Sequence, residues 1–474
     1  MSATLLDARS REAQRRPMTR SGRLAAAGLW LRDHQRAVRR FQWAIILVYA
    51  FLLITPTVLP LPGASAHIWN DLTVFAQFVF WGIWWPGVLL SMILFGRLWC
   101  GVMCPEGSLS EFASRHGRGR SAPRWMRWKG WPFAAFVLTT VYGQMVSVYQ
   151  YPLPAALILG GSTLAAIVVG YLYGRDKRVW CRYLCPVNGV FALISKLAPI
   201  HFVTDRASWD AADVAAARRN PVNCAPLVPL KPLDSSSACH MCGRCAGFRD
   251  AIELKSRPLG SEVVRLGGET GTGWESALII CGLMGVAIGA FQWSVSPWFV
   301  DIKQALALWL IDHDIIWPLS LHMPWFILTD YPGRNDVMTV LDGSVMLAYI
   351  AGAALAMSLA LGLPLALATR LLGRWQWRRF HHLALSLLPL AACGVILGLS
   401  AQTVTLLRAD GVGLSWIGPA RIAALGLAAA GSLALCWQIS GRYASTPRRL
   451  AAVTAALPAT GAALAAWILQ FWVW

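Results

Sequence analysis

Eight cysteines stand in groupings that suit soft-metal chemistry. Arg97-Leu98-Trp99-Cys100-Gly101-Val102-Met103-Cys104-Pro105 and Arg178-Val179-Trp180-Cys181-Arg182-Tyr183-Leu184-Cys185-Pro186 share the pattern R-x-W-C-x3-C-P, and Cys239, Cys242 and Cys245 form a C-x2-C-x2-C run downstream of Cys224. Thiolates in fours favour zinc or iron–sulfur clusters. Structural zinc sites usually pair two C-x2-C knuckles, whereas C-x2-C-x2-C opens the bacterial ferredoxin run and Cys-Pro closes it. The proline also removes a backbone donor that would compete at the turn. A 4Fe-4S chemistry, with two clusters, is therefore expected over structural zinc. The fourth local position of a ferredoxin run is Arg249, followed by Asp250, so the run is incomplete by itself. Cys224 is the simplest fourth ligand, which leaves Cys100, Cys104, Cys181 and Cys185 as a second set, one pair from each repeat. The rival arrangement exchanges ligands between the run and the repeats, as two-cluster ferredoxins do.

Other polar residues carry weaker signals. Arg97 and Arg178 suit the charge of a thiolate-bound cluster, but also suit basic flanks of membrane spans. Trp99 and Trp180, fixed beside the cysteines in both repeats, suit shielding from water, and Glu106, Gly107, Ser108, Val187, Asn188 and Gly189 suit the turn back to the membrane. His381, His382, His313, His322, Asp312 and Asp314 read as interfacial residues before haem or copper ligands. Cys281, Cys393 and Cys436 lie singly in apolar segments and read as small apolar residues.

These groups need a scaffold, and its composition is that of a membrane protein. Of 474 residues, 56% are hydrophobic and only 14% charged, well away from the balance of soluble domains. A membrane helix needs roughly 20 apolar residues, and about nine windows qualify: 41–60, 72–95, 131–150, 155–173, 274–293, 344–369, 383–407, 414–438 and 450–472. The fold class expected is an all-α polytopic membrane protein with about nine transmembrane helices and a small ferredoxin-like cytoplasmic insert. Four regions follow: a basic tail at 1–40, a four-helix region with the two C-x3-C-P loops at 41–198, an iron–sulfur insert at 199–273, and a five-helix region at 274–474 with an acidic outer segment at 294–343.

The net charge of +19 raises nucleic acid as a partner, but the distribution answers otherwise. Of 42 Lys and Arg residues, 38 fall in 1–40, 96–130, 174–273, 370–382 and 439–449, all on one face of a nine-span model. The positive-inside rule puts that face in the cytoplasm. The expected location is the bacterial inner membrane, with the N-terminus cytoplasmic and the C-terminus periplasmic, and no nucleic-acid partner. The eight clustered cysteines then lie where thiols stay reduced. The basic N-terminus, which also holds Asp7, Glu12 and Asp33, reads as an uncleaved tail rather than a transit peptide.

Across about 41–260 these motifs resemble the membrane-bound 4Fe-4S ferredoxin family that includes NapH, NosR and the cytochrome oxidase accessory proteins. The carriers are Trp99-Cys100 to Cys104-Pro105, Trp180-Cys181 to Cys185-Pro186, and Cys239 to Cys245. The resemblance implies electron transport at the membrane surface, in support of a respiratory reductase or oxidase. Reduced quinone (quinol) or a cytosolic donor would supply the electrons. An electron-transfer subunit is expected rather than a stand-alone enzyme. The alternative is an assembly factor that reduces a metal, such as copper, for insertion into an oxidase. Members of this family commonly carry two complete ferredoxin runs, and the last four spans here are not explained by the resemblance.

Overall fold

The computed structural model describes residues 22–63, 65–213 and 221–474. Only the part of the expected tail from residue 22 onward is therefore described, and Asp7 and Glu12 lie outside. Among the described residues, eight helices have the length and hydropathy to cross a bilayer: Gln35–Val58, Leu72–Phe95, Pro152–Tyr173, Gly273–Gln292, Val340–Leu371, Trp377–Ala409, Ile417–Ser440 and Thr446–Val473. The chain is a mostly helical, multi-pass membrane protein. The window expected at 131–150 forms the helix Trp131–Met145, of 15 residues. At about 1.5 Å per residue it falls short of the hydrocarbon thickness, because the chain turns after Met145 and Ser147 takes a left-handed conformation.

The chain divides into two units. One comprises Met1–Tyr49, Val88–Trp128 and Thr163–Arg265, and contains all eight clustered cysteines. Here the two repeats fold alike. The short helices Leu98–Val102 and Val179–Tyr183 each carry the Trp and the first Cys. In both, the second Cys donates its N–H to the Trp carbonyl, Cys104 to Trp99 at 2.9 Å and Cys185 to Trp180 at 3.0 Å. Cys104 then caps the helix Pro105–Arg115, with its Sγ accepting the Gly107 N–H at 3.4 Å.

Small residues let the repeats approach one another. A side chain at Gly170 would come within 2.4 Å of the Ser110 carbonyl, so the end of the span leading to the second loop packs directly on Pro105–Arg115. The Asp176 N–H donates to the Ser114 carbonyl at 3.2 Å and the Lys177 N–H to Ser114 Oγ at 3.1 Å.

The insert is framed by two antiparallel strands, Ile200–Thr204 and Ile252–Ser256, with Phe202 opposite Leu254. Phe202, Leu233, Cys239, Met241, Cys245, Ala246, Ile252 and Leu254 form its core. The helix Arg23–Asp33 closes this core, with Leu24 and Leu29 packed against it. Gly28 lies so close to Phe202 and Leu254 that a Cβ there would sit 3.2 Å from each. Arg32 donates to the Ala246 carbonyl at 3.1 Å, and Gln35 to the Cys242 carbonyl at 2.9 Å. The described part of the expected tail is thus built into the unit that carries the cysteines.

The other unit comprises Ala50–Gly87, Lys129–Ser162 and Leu266–Trp474. Its core runs along Val340–Leu371, where Val345, Met346, Ile350 and Ala354 pack against Val286 and Ala290. Gly285 and Gly289 bring the backbones together, since Cβ atoms there would meet Ala354 Cα at 2.9 Å and Ile350 Cα at 3.1 Å. Such small-residue contacts are the usual means of close helix packing in lipid. The acidic segment forms the helix Pro297–Asp312 and a two-stranded hairpin at Asp330–Tyr331 and Asp336–Val337.

Candidate metal centre

The thiols of the two repeats neighbour one another. Burial pushes the Cys104 thiol well above its ordinary value, and the adjacent Cys181 and Cys100 push further. Burial raises Cys185 likewise, with Glu106, Cys181, Cys104 and Cys100 adding to it. Cys181 is pushed up to about 12 by burial, opposed by Arg178 and reinforced by Cys100. The other thiols form a second neighbourhood. Burial raises Cys239 to about 12, with Cys242 and Cys224 contributing. Cys245 is raised by burial and by Cys239, Cys242 and Cys224. Cys224 is raised by burial and Cys242, against the pull of Lys177 and Arg244. A buried thiol without a countercharge holds its proton, and iron would supply that charge.

Among the described residues no three His, Cys, Asp or Glu side chains make a ready site for a metal ion. The ligands of one zinc must meet at one point. In a cubane each thiolate takes its own iron, so neighbouring thiols need not converge. Soft thiols gathered in two neighbourhoods are the donor chemistry that 4Fe-4S clusters take.

Arg97 and Arg178 are 3% and 1% exposed, which removes the reading of both as interfacial flanks. They cross between the repeats in a near-symmetric exchange. Arg97 Nη2 donates to Asn188 Oδ1 at 2.7 Å and Nη1 to the Ser237 carbonyl at 2.8 Å. Arg178 lies over Gly107, the residue equivalent to Asn188, where a Cβ would be 3.2 Å from Nη1 and 3.4 Å from Cys181 Sγ. Arg178 also donates to the Cys100 carbonyl, and its Nε to Glu111 at 2.8 Å. Trp180 is 7% exposed, packs with Cys181 and Cys185, and donates to Glu106 at 3.0 Å. That burial suits the shielding expected of it.

The insert sits on the first repeat through Gly101. A Cβ there would meet the His240 carbonyl oxygen at 2.0 Å and the Cys242 nitrogen at 2.9 Å. The equivalent position in the second repeat is Arg182, which is exposed. The C-x2-C-x2-C turn itself needs left-handed backbone at Met241, φ 54°, and Gly243, φ 75°. Arg249, where a ferredoxin has its fourth cysteine, instead stacks on Trp209 at 4.6 Å. Cys224 is held beside the second repeat, because its carbonyl accepts Lys177 Nζ at 3.1 Å and the neighbouring Ala225 carbonyl accepts the Arg178 N–H at 2.8 Å.

Sequence reasoning missed Glu111, whose carboxylate joins Arg178 to Arg244 of the cysteine run, the latter at 2.6 Å. Burial alone would raise this carboxyl, but Arg178 and Arg244 hold it below its ordinary value. A lone acid seven residues after Cys104 carries no sequence signal. His382, read as interfacial, is fully buried and pairs with Tyr443 at 2.7 Å. His381 pairs with Ser276 at 3.0 Å, and His313 folds back on the Trp309 carbonyl at 2.8 Å.

The repeated cysteine turns coincide with a known module: residues 77–123 and 157–203 each match the 4Fe-4S binding domain. The chain is a multi-pass membrane protein with two such domains, and it binds 4Fe-4S clusters. Its relatives include YccM of Escherichia coli, named provisionally as an electron transport protein, at 23% identity over 43% of this chain and 62% of that one. The regulatory protein NosR of Pseudomonas aeruginosa is 24% identical over 34% of this chain and 25% of its own length. The protein NirI of Paracoccus denitrificans is 27% identical over 24% and 19% respectively. The matches thus span less than two thirds of each of these relatives. No solved structure matches the chain.

Proposed function

We propose that this protein transports electrons at the cytoplasmic face of the bacterial inner membrane. One 4Fe-4S cluster would be held by Cys100, Cys104, Cys181 and Cys185, and the other by Cys224, Cys239, Cys242 and Cys245. Bound there, each cluster accepts and returns single electrons. The observation that carries this reading is the contact at Gly101, which seats the Cys242 backbone against the helix that bears Cys100. The two ligand sets are thereby neighbours. Burial of Trp180, Arg97 and Arg178 keeps water from the thiols. The name of the Escherichia coli relative supports electron transport; a respiratory reductase or oxidase as the partner, and quinol or a cytosolic protein as the donor, are part of the same proposal.

Charge and parity support this orientation. The two cysteine loops lie together, and between them stand Trp131–Met145 and Pro152–Tyr173. Loops on one face require an even number of crossings, so the 15-residue helix and the turn after it would complete a ninth passage. The basic segments then share the cytoplasmic face.

Cys224→Ser tests the assignment. It is expected to convert one cluster to a three-iron or oxygen-labile form, seen as a changed paramagnetic resonance signal, with the other cluster intact. An unaltered signal in the purified variant would show that the insert's fourth ligand comes from elsewhere.

A further inference from the structure

We propose that Arg178 is a positioning residue shared by both cluster sites, which sets their reduction potentials together. The inference rests on the two-site reading above and on the guanidinium's own contacts.

One end of Arg178 lies at the first site. Nη1 donates to the Cys100 carbonyl, and the Cβ position of Gly107 is 3.2 Å from Nη1 and 3.4 Å from Cys181 Sγ. The other end leads to the second site: Nε bonds Glu111 at 2.8 Å, and Glu111 bonds Arg244, between Cys242 and Cys245, at 2.6 Å. Cys181 and Cys242, one from each ligand set, both act on its charge.

The charges do not cancel within this network. Two guanidiniums share one carboxylate, so a positive charge is left over. Among the described residues, the hydrogen-bond partners of Arg97 are neutral, Asn188 and the Ser237 carbonyl. Arg178 Nη2 and Arg97 Nε are buried with no hydrogen-bond partner among the described residues. An uncompensated buried cation is strongly unfavourable, and so is an unmade buried hydrogen bond. A cluster held by four thiolates is a net anion, and each added electron makes it more so. Both deficits are relieved by an anionic cluster at each site, more in the reduced state than in the oxidised one. Reduction adds an electron to the cluster and breaks no bond, and Arg178 keeps its proton throughout.

The test is a potentiometric titration of the full-length protein, purified anaerobically, with each cluster followed by paramagnetic resonance and iron counted per chain. Arg178→Gln is expected to lower both potentials, each by at least a tenfold change in the reduction equilibrium, ~59 mV for one electron. Arg178→Lys keeps the charge but loses the planar fork, and is expected to lower both by less. Exposed Arg124 controls for bulk charge, and Arg124→Gln is expected to move neither. If both Arg178 variants lose iron, Glu111→Gln decides, because removing the compensating carboxylate is expected to raise both potentials. Two clusters at unmoved potentials, or a shift confined to one, would overturn the shared role. An iron count of one cluster in the parent protein would instead overturn the two-site reading beneath it.

Discussion

Replacing Gly101 with Ala separates the docking of the insert from the chemistry of the cysteines. The added methyl would stand 2.0 Å from the His240 carbonyl oxygen, whereas ordinary contact begins at 3.4 Å, so the two backbones must part by about 1.4 Å. Neither side yields easily, because the obstacle is main chain within a cysteine run held by left-handed residues. Overpacking of this kind costs about 1–3 kcal/mol, and helix propensity returns at most ~1 kcal/mol of it. The net cost is then up to about 2 kcal/mol, a loss of the docked arrangement of up to roughly 30-fold. The bond from Gln42 to the Gly101 carbonyl, 3.0 Å long, would weaken with it. Iron content and paramagnetic resonance of purified Gly101→Ala protein are the assay. The expected result is depletion or perturbation of the cluster in the insert, with the cluster of the two repeats retained. Arg182→Ala, at the matching exposed position of the second repeat, is expected to leave both clusters unchanged. Full iron and unaltered signals in Gly101→Ala would refute the close seating of the insert on the first repeat.

The raised thiols make the iron-free protein sensitive to alkali. Unfolded thiols ionise near 8.5, while Cys181 and Cys239 hold their protons to about 12. Above about pH 8.5 the folded state therefore binds more protons than the unfolded state, and stability falls as pH rises toward the folded values, by about 1.4 kcal/mol per pH unit for each such thiol. Thermal unfolding of the chelated protein between pH 7 and 10 is expected to show a falling Tm above 8.5, and a flat Tm would contradict the burial of these thiols. A reporter fused after Trp474 is expected to behave as periplasmic and one inserted near Gly260 as cytoplasmic. Cytoplasmic behaviour at Trp474 would remove the ninth crossing.

Much of the candidate site is legible along the chain because its signals are local. Donor type, the i, i+4 spacing of each Cys pair, and the proline after it are properties of a few consecutive residues, and the membrane helices announce themselves by length and apolarity. That is enough to read two 4Fe-4S turns in a helical membrane protein. Even the local signals reach a limit at 131–150, where an apolar window long enough to span yields a 15-residue helix. Hydropathy does not register the left-handed turn that ends it. Partners distant in sequence decide the rest. Arg97 and Arg178 look like basic flanks until the repeats close on each other and bury them. Gly101 and Arg182 are unremarked fillers until the insert chooses one repeat, and only the residue without a Cβ admits it. Glu111 gains its meaning from Arg178 and Arg244, which lie 67 residues away along the chain in one case and in a separate cysteine run in the other. The residue types and their spacing determine which groups are chemically suited to iron, whereas the charge surrounding those groups is created by contacts that exist only once the chain has folded.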